Sequence, residues 1–347
     1  MSSLESKVLG DFLEQCGAFS PNIPVLVKKY GYPREIIPMV SFIVPVHNQE
    51  QIIANNLHLL KSHSLEVHEI VIIVDGCTDQ TNARIESWIT EGVLDNTTIG
   101  VTVATIQEGV FETICDSIGA RLSVGDYLIE VQADMSMTEP GFDRVLLAAL
   151  SAAPELVAVS GRGAHTFSQL RGPVDLGSLR ILDKLFNRLF TAWARRVKSY
   201  TPSSLEMHLS DQIGRVSSLI DFPAAVTDRR RVYVHETVMR GPLAIARNDF
   251  EMLNGLDTQH FFLGNDDHDL AMRALTLHGR RVGYTPIGFD SPIEAGSTRT
   301  PRSPESKKRY EELQHHYNKA FAQSALAMNL DTYQRPKRYS LAIQVDS

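Results

Sequence analysis

The chain has 347 residues, 43% of them hydrophobic, and a formal charge of -7: enough length for one large domain or a domain with an embellishment, enough apolar mass for a sizeable core, and an acidity that argues against a nucleic-acid footprint. Cys16, Cys77 and Cys115 are odd in number and far apart, which suits a reducing compartment and neither a disulfide framework nor a zinc site. No apolar run reaches the roughly 18–20 residues of a membrane span, and Met1 to Gly10 lacks the basic start and long apolar stretch of a signal peptide, so a soluble, cytoplasmic protein is expected.

Residues 1–38 read as an N-terminal extension packed on the main domain. A short helix through Leu4, Val8, Leu9, Phe12 and Leu13 leads into a loop punctuated by Pro21, Pro24, Pro33 and Pro38. Val40 to Val46 is a buried strand, followed by a helix from Gln49 to about Ser62 with Ile52, Ile53, Leu57 and Leu60 inward. Glu69 to Asp75 is a second strand, and Thr78 or Asp79 can cap the helix that runs through Ile85 and Trp88. Ile99 to Ile106 alternates as a third strand. A helix over 110–123, a strand over 126–131, a helix opened by Thr138-Glu139-Pro140, and a short strand over 156–160 follow. Strand and helix alternate, which predicts an α/β fold: a Rossmann-like, mostly parallel central sheet with helices on both faces.

In such sheets the ligand lies at the carboxyl ends of the strands. Polar residues fall there: His47 and Asn48, Asp75 and Asp79, Gln107 and Glu108, then Asp134. One such residue is commonly a turn former, but several along one edge mark a binding crevice. No Gly-x-Gly-x-x-Gly follows the first strand and no phosphate-loop Gly-Lys-Ser/Thr occurs, which disfavours dinucleotide oxidoreductases and P-loop enzymes.

The densest chemistry lies at Gly264-Asn-Asp-Asp-His-Asp-Leu-Ala-Met-Arg273. Three aspartates open a helical run with Leu270, Ala274 and Leu277 at core spacing. Acids are welcome in a first helical turn, where N–H groups are unpaired and the dipole is positive. Asp269 has a structural partner in Arg273 four residues on. Adjacent Asp266 and Asp267 repel, which raises at least one pKa, and they are the candidates for function.

Four blocks in order carry a resemblance to a known family: Val40-Ser-Phe-Ile-Val-Pro-Val-His-Asn48, Ile70-Val-Ile-Ile-Val-Asp-Gly-Cys-Thr-Asp79, Gly125-Asp-Tyr-Leu-Ile-Glu-Val-Gln-Ala-Asp134, and the later set Gly241-Pro-Leu-Ala-Ile-Ala-Arg247, Asn254-Gly-Leu-Asp257 and Gly264-Asn-Asp-Asp-His-Asp-Leu270. Over about residues 39–290 the chain resembles glycosyltransferase family 2, with the GT-A fold. The resemblance implies an inverting transferase, of non-processive hexosyltransferase type, that moves a sugar from a nucleoside-diphosphate donor, a UDP-sugar, to an acceptor hydroxyl. Pro45 and His47, with Asn48, Asp75 and Gln107, take the positions that meet the nucleotide. The metal motif Asp-x-Asp appears as Gln132-Ala133-Asp134, so Asp134 is the position expected to hold Mg²⁺ or Mn²⁺ on the diphosphate, with a carbonyl oxygen on offer from Gln132. An arginine that the family carries after the third strand is missing, Cys115-Asp116-Ser117 standing there instead. Asp267 matches the general base, and Asp266 a supporting acceptor contact.

Residues 161–238 depart from the family and form an acceptor-side helical insertion, with Arg162 and His165 as acceptor candidates. Leu182, Leu185, Phe186, Leu189 and Trp193 make an apolar stripe flanked by basic residues: a core-packed helix with a solvated basic face, or an interfacial helix that brings the enzyme to a lipid-linked acceptor. Residues 291–347 make a C-terminal loop and helix. Arg299 and Arg302 sit in that loop as candidates to close on the diphosphate, and residues 304–330 read as a long polar helix with few anchors. The competing classes are a non-catalytic nucleotide-sugar binder, motivated by Gln132, and a sugar nucleotidyltransferase, which lacks its glycine-rich loop and lysine here.

Overall fold

The computed structural model describes residues 9, 11–13, 15–16, 25–32, 36–165, 167, 230–291, 304–333 and 341–345. In chain order it runs β1 (Val25–Gly31), β2 (Val40–Val46), α1 (Ile53–His63), β3 (His68–Asp75), α2 (Thr81–Thr90), β4 (Thr98–Ile106), α3 (Glu112–Leu122), β5 (Tyr127–Glu130), β6 (Ser136–Met137), α4 (Phe142–Ser151), β7 (Leu156–Ser160) and β8 (Ala164–His165). Then come β9 (Arg231–His235), β10 (Thr237–Val238), β11 (Leu243–Ala246), α5 (Arg247–Met252), α6 (Asp266–His278), β12 (Arg281–Tyr284), β13 (Phe289–Asp290), α7 (Pro304–Phe321), α8 (Ala325–Thr332) and β14 (Leu341–Gln344).

One ten-stranded sheet has the order β1-β4-β3-β2-β5-β11-β7-β12-β9-β14. Its heart, β4-β3-β2-β5, is parallel. β1, β11 and β9 run against the others, so the sheet is mixed but mostly one direction. β3 is buried along its whole length, which is why its sequence is a continuous apolar run and does not alternate. Successive side chains feed opposite faces: Phe42, Val44, Ile70 and Ile72 pack with α1, α2 and α4, while Val71 and Ile73 pack with α3 and Ile43 packs with α6. The predicted helices on both faces are therefore present.

Three expectations need correction. The proline-punctuated stretch after residue 21 is not all loop, because Val25–Gly31 forms an edge strand antiparallel to β4 with only Val25 and Val27 fully buried. β9 and β14 extend the far edge of the sheet. Leu277, expected inward, is 69% exposed. The N-terminal segment does pack on the domain through Leu9, Phe12, Leu13 and Cys16. Leu313 and Tyr317 anchor α7 to the same cluster, and Leu326 and Leu330 anchor α8 beside α6. Among the described residues no helix is long and apolar enough to cross a membrane.

Candidate active site

The loops that leave the carboxyl ends of β2, β3 and β4 are tied into one rim. Asn48 Oδ1 accepts from the Thr78 N–H at 2.8 Å, and the Asn48 N–H donates to Cys77 Sγ. His47 Nδ1 lies 2.6 Å from the Asp75 carbonyl and Nε2 lies 3.2 Å from Asn48 Nδ2. Nδ1 therefore carries the proton and Nε2 accepts, which leaves the ring in one orientation. Asp75 is buried, and its two oxygens accept the N–H groups of Val110 and Phe111 at 2.6 and 2.9 Å, closing the loop after β4. Burial pushes its carboxyl up, against the pull of those two donors and of His47.

The Asp266-Asp267 pair starts α6 from a turn in which Gly264 and Asn265 both have positive φ, 75° and 67°. Glycine and asparagine are the residues that enter this region at least cost. The helix turns the two carboxylates apart. Asp267 Oδ1 accepts the His268 N–H at 2.8 Å and Oδ2 the Arg240 N–H at 3.0 Å. Burial works to raise it, but His268, the Arg240 charge and these two donors outweigh burial and hold it below its ordinary value. Asp266 has no exposed surface and points inward, 2.8 Å from Arg240 Nη1. The N–H is out of line for a hydrogen bond, and neither Asp266 oxygen makes a well-formed one, although the Thr113 hydroxyl beside it works to lower its pKa. Burial, then the Asp267 charge, outweigh Arg240 and raise Asp266 to about 6. The repulsion expected from adjacent carboxylates therefore falls on Asp266.

Arg240, which the sequence did not single out, is the centre of this arrangement. Its side chain is 3% exposed and meets four carboxylates: Asp116 at 2.5 Å, Asp266 at 2.8 Å, Glu112 at 3.3 Å and Glu130 at 3.7 Å. One guanidinium cannot offset four buried anions. Burial pushes Asp116 and Glu130 well up despite Arg240. Asp116, from the Cys115-Asp116-Ser117 segment of α3, is the nearest of the four to the guanidinium.

The other half of the site is reached through Glu112. Gln132 donates its amide N–H to Glu112 Oε1 at 2.5 Å, and its carbonyl oxygen accepts from Arg162 Nη1 at 2.5 Å. Arg162 is held by the turn after β7, where its N–H and the Met239 carbonyl share Ser160 Oγ. Asp134, half-buried in the turn after β5, is raised by burial and pulled back by the Arg162 charge. A divalent ion here would need oxygen donors. Asp134 supplies the one carboxylate of the motif, the Gln132 carbonyl is engaged by a cation, and among the described residues no group of three His, Cys, Asp or Glu could hold a metal ion. Among the described residues, then, the donor set does not fit a metal held by the protein alone.

The predicted donor positions Pro45, His47, Asn48 and Asp75 thus share one rim, with exposed Gln107 beside it. Gln132, Ala133 and Asp134 lie in the next loop; the buried Asn56 binds the Ala133 carbonyl at 2.8 Å. Arg162 faces Gln132 and so belongs to this group as much as to an acceptor pocket. His165 pairs through its backbone with Thr237 in the β8–β10 ribbon. Asp269 has the structural role expected: it pairs with Arg273 at 2.6 Å and also receives the Leu326 N–H at the start of α8. Arg299, Arg302 and the stripe from Leu182 to Trp193 lie outside the described residues.

A mostly parallel sheet with polar loops gathered at the carboxyl ends of its strands, and an acid pair opening a helix beside them, is the arrangement of a GT-A transferase. Residues 41–200 match the family described as Glycosyl transferase family 2. No curated protein matches the sequence. Among solved structures, the chain is similar to a mannosyltransferase from Pyrobaculum calidifontis in complex with GDP-Man and Mn²⁺, at 14% identity and a TM-score of 0.46, covering 95% of this chain and 77% of that one. It is similar to GalNAc-T7 with UDP, GalNAc and Mn²⁺ at 16% identity and a TM-score of 0.48; 83% of this chain spans 50% of that protein. Glucosyl-3-phosphoglycerate synthase from Mycobacterium tuberculosis, with Mn²⁺, UDP and glucosyl-3-phosphoglycerate, is 12% identical, with 81% and 80% coverage and a TM-score of 0.40.

Proposed function

We propose that this protein is an inverting, non-processive glycosyltransferase that moves a hexose from a nucleoside-diphosphate donor, a UDP-sugar, to the hydroxyl of a glycan or lipid-linked acceptor. One observation carries this: a continuous run of side chains, Arg162–Gln132–Glu112–Arg240, leads from Asp134 to the backbone N–H that holds Asp267. This chain of contacts supports a reading in which the donor-side and acceptor-side residues work on one bound substrate pair.

The nucleotide base lies on the rim of β2 and β3. His47 presents a ring fixed in orientation for stacking. Each oxygen of Asp75 accepts one backbone N–H and has a second lone pair for a donor on the base. The diphosphate lies over the loop from Gln132 to Asp134. Asp267, held ionised, takes the proton of the acceptor hydroxyl as that oxygen attacks the anomeric carbon from the side opposite the departing diphosphate, and the configuration inverts. Positioned general-base help of this kind is worth roughly 10²–10⁴ in rate. Asp266 has no surface to touch the acceptor; through Arg240 it sets the charge and position of its neighbour. Asp267→Asn should lower transfer, read as released UDP, by roughly 10²–10⁴ while UDP binding stays within twofold. Near-normal transfer with unchanged UDP binding would remove Asp267 as the base.

A non-catalytic nucleotide-sugar binder is the second function to weigh, because Gln132 replaces an acid and the donors around Asp267 lower its basicity. UDP binding without even slow hydrolysis of UDP-sugars would favour it.

A further inference from the structure

We propose that the positive charge which receives the donor's diphosphate in this protein is the Arg162 guanidinium, and that no divalent ion is needed for nucleotide binding. The inference rests on the crevice being a nucleoside-diphosphate site, and it concerns which cation serves it.

Three features of the described residues lead there. Where an acid would draw a metal, this chain has Gln132, whose carbonyl oxygen is turned onto Arg162 Nη1 at 2.5 Å. A guanidinium donates hydrogen bonds and an amide oxygen accepts them, so the pair is complementary, whereas an Asp-x-Asp pair facing a metal would have no use for the arginine. Gln132 is itself fixed by its second bond, to Glu112 Oε1, so the arginine is aimed and not merely nearby. Finally, Arg162 is the cation that acts on Asp134, the one carboxylate the metal motif retains. A dication placed on Asp134 would be repelled by it. An anionic diphosphate in the same place would be attracted, and a planar guanidinium suits paired phosphate oxygens.

The backbone supports the same placement. The turn after β7 that bears Arg162 is pinned to the Met239–Pro242 segment: the Gly161 N–H donates to the Pro242 carbonyl at 2.9 Å, and the Met239 N–H to the Gly163 carbonyl at 3.1 Å. Arg162 therefore starts from a hydrogen-bonded turn tied to the segment whose Arg240 N–H holds Asp267.

The test is calorimetric titration of the full-length protein with UDP, in EDTA and in 1–5 mM Mn²⁺ (about the range that saturates ordinary hard-cation sites). Uridine serves as a ligand without phosphates. Wild type should bind UDP with a Kd that changes less than about twofold between EDTA and Mn²⁺. Arg162→Met should weaken UDP by roughly 10- to 100-fold, the size of one lost charge-assisted contact, leave uridine unchanged, and gain nothing from Mn²⁺. Arg162→Lys should recover part of the loss. Gln132→Asp, which restores the acid pair, should weaken UDP in EDTA and make binding respond to Mn²⁺. Wild-type binding that collapses tenfold or more in EDTA, or an Arg162→Met variant that folds normally and binds UDP as wild type does, overturns the assignment of the cation alone. Failure of every variant and of wild type to bind UDP in either condition overturns the nucleotide-site proposal together with it.

Discussion

Replacing Arg240 by methionine tests whether the acid pair is held up by the cage beneath it. Methionine keeps most of the length and removes the charge from a side chain that is 3% exposed and touches Asp116, Asp266, Glu112 and Glu130. Removing one partner of a buried ion pair costs about 3–5 kcal/mol, because the remaining charge has lost its compensation. The cage can lessen that cost by binding protons, so the cost depends on pH. In wild type, burial raises Asp266 from 3.8 to about 6 even with Arg240 present. This is worth about 3 kcal/mol against the ionised form at neutral pH. A carboxyl with a raised folded pKa binds more protons folded than unfolded, so stability falls as pH rises from 3.8 through that pKa. Asp116 and Glu130 shift the same way. Without Arg240, whose charge lowers all three, the window extends upward. Urea unfolding at pH 5 and pH 8 should show a modest loss for Arg240→Met at the lower pH and the full loss of about 3–5 kcal/mol at the higher. Adding Asp266→Asn should return part of it. A variant within about 0.5 kcal/mol of wild type at pH 8, the range of an inconsequential surface change, would show that the guanidinium is not what compensates these acids.

Two further substitutions probe the rim. Asp75→Asn keeps one acceptor but turns an amide N–H₂ toward one of the two donors, Val110 N–H and Phe111 N–H. One buried N–H loses its partner, at about 1–3 kcal/mol, and amide hydrogen exchange should quicken at one of those two residues and not across the sheet. Gly241→Ala places a side chain at φ +66 with its Cβ 2.9 Å from Gln132 Cγ. The backbone term alone is about 1–2 kcal/mol, and Gln132 must swing from between Glu112 and Arg162. Thermal unfolding should show the loss, and UDP affinity should fall with it. An unchanged melting temperature would mean the turn has more room than its geometry shows.

The parts that could be read from the chain are those whose causes are local. The strand at Val40–Val46 and the run ending at Asp75 are marked by their own apolar patterns and by the polar residues that stop them, and Asp269 with Arg273 is a pair that any helix would bring together. β1 was missed because an edge strand buries so little: Lys28 and Lys29 face solvent and prolines flank it. β9 and β14 have no meaning until each finds the other across the sheet.

What the order of residues determined by itself was the alternation of strands and helices, the edge on which polar residues collect, and the match of residues 41–200 to glycosyl transferase family 2. Only the tertiary structure separated Asp266 from Asp267, because two identical neighbours differ by which way a helix turns them. Only it gave Arg240 its four acids, drawn from α3, β5 and α6, and turned Gln132 onto Arg162. The physical reason is range: patterning acts over a few residues, while buried charge is settled by whatever the folded chain places within a few ångströms of it, however far off in sequence.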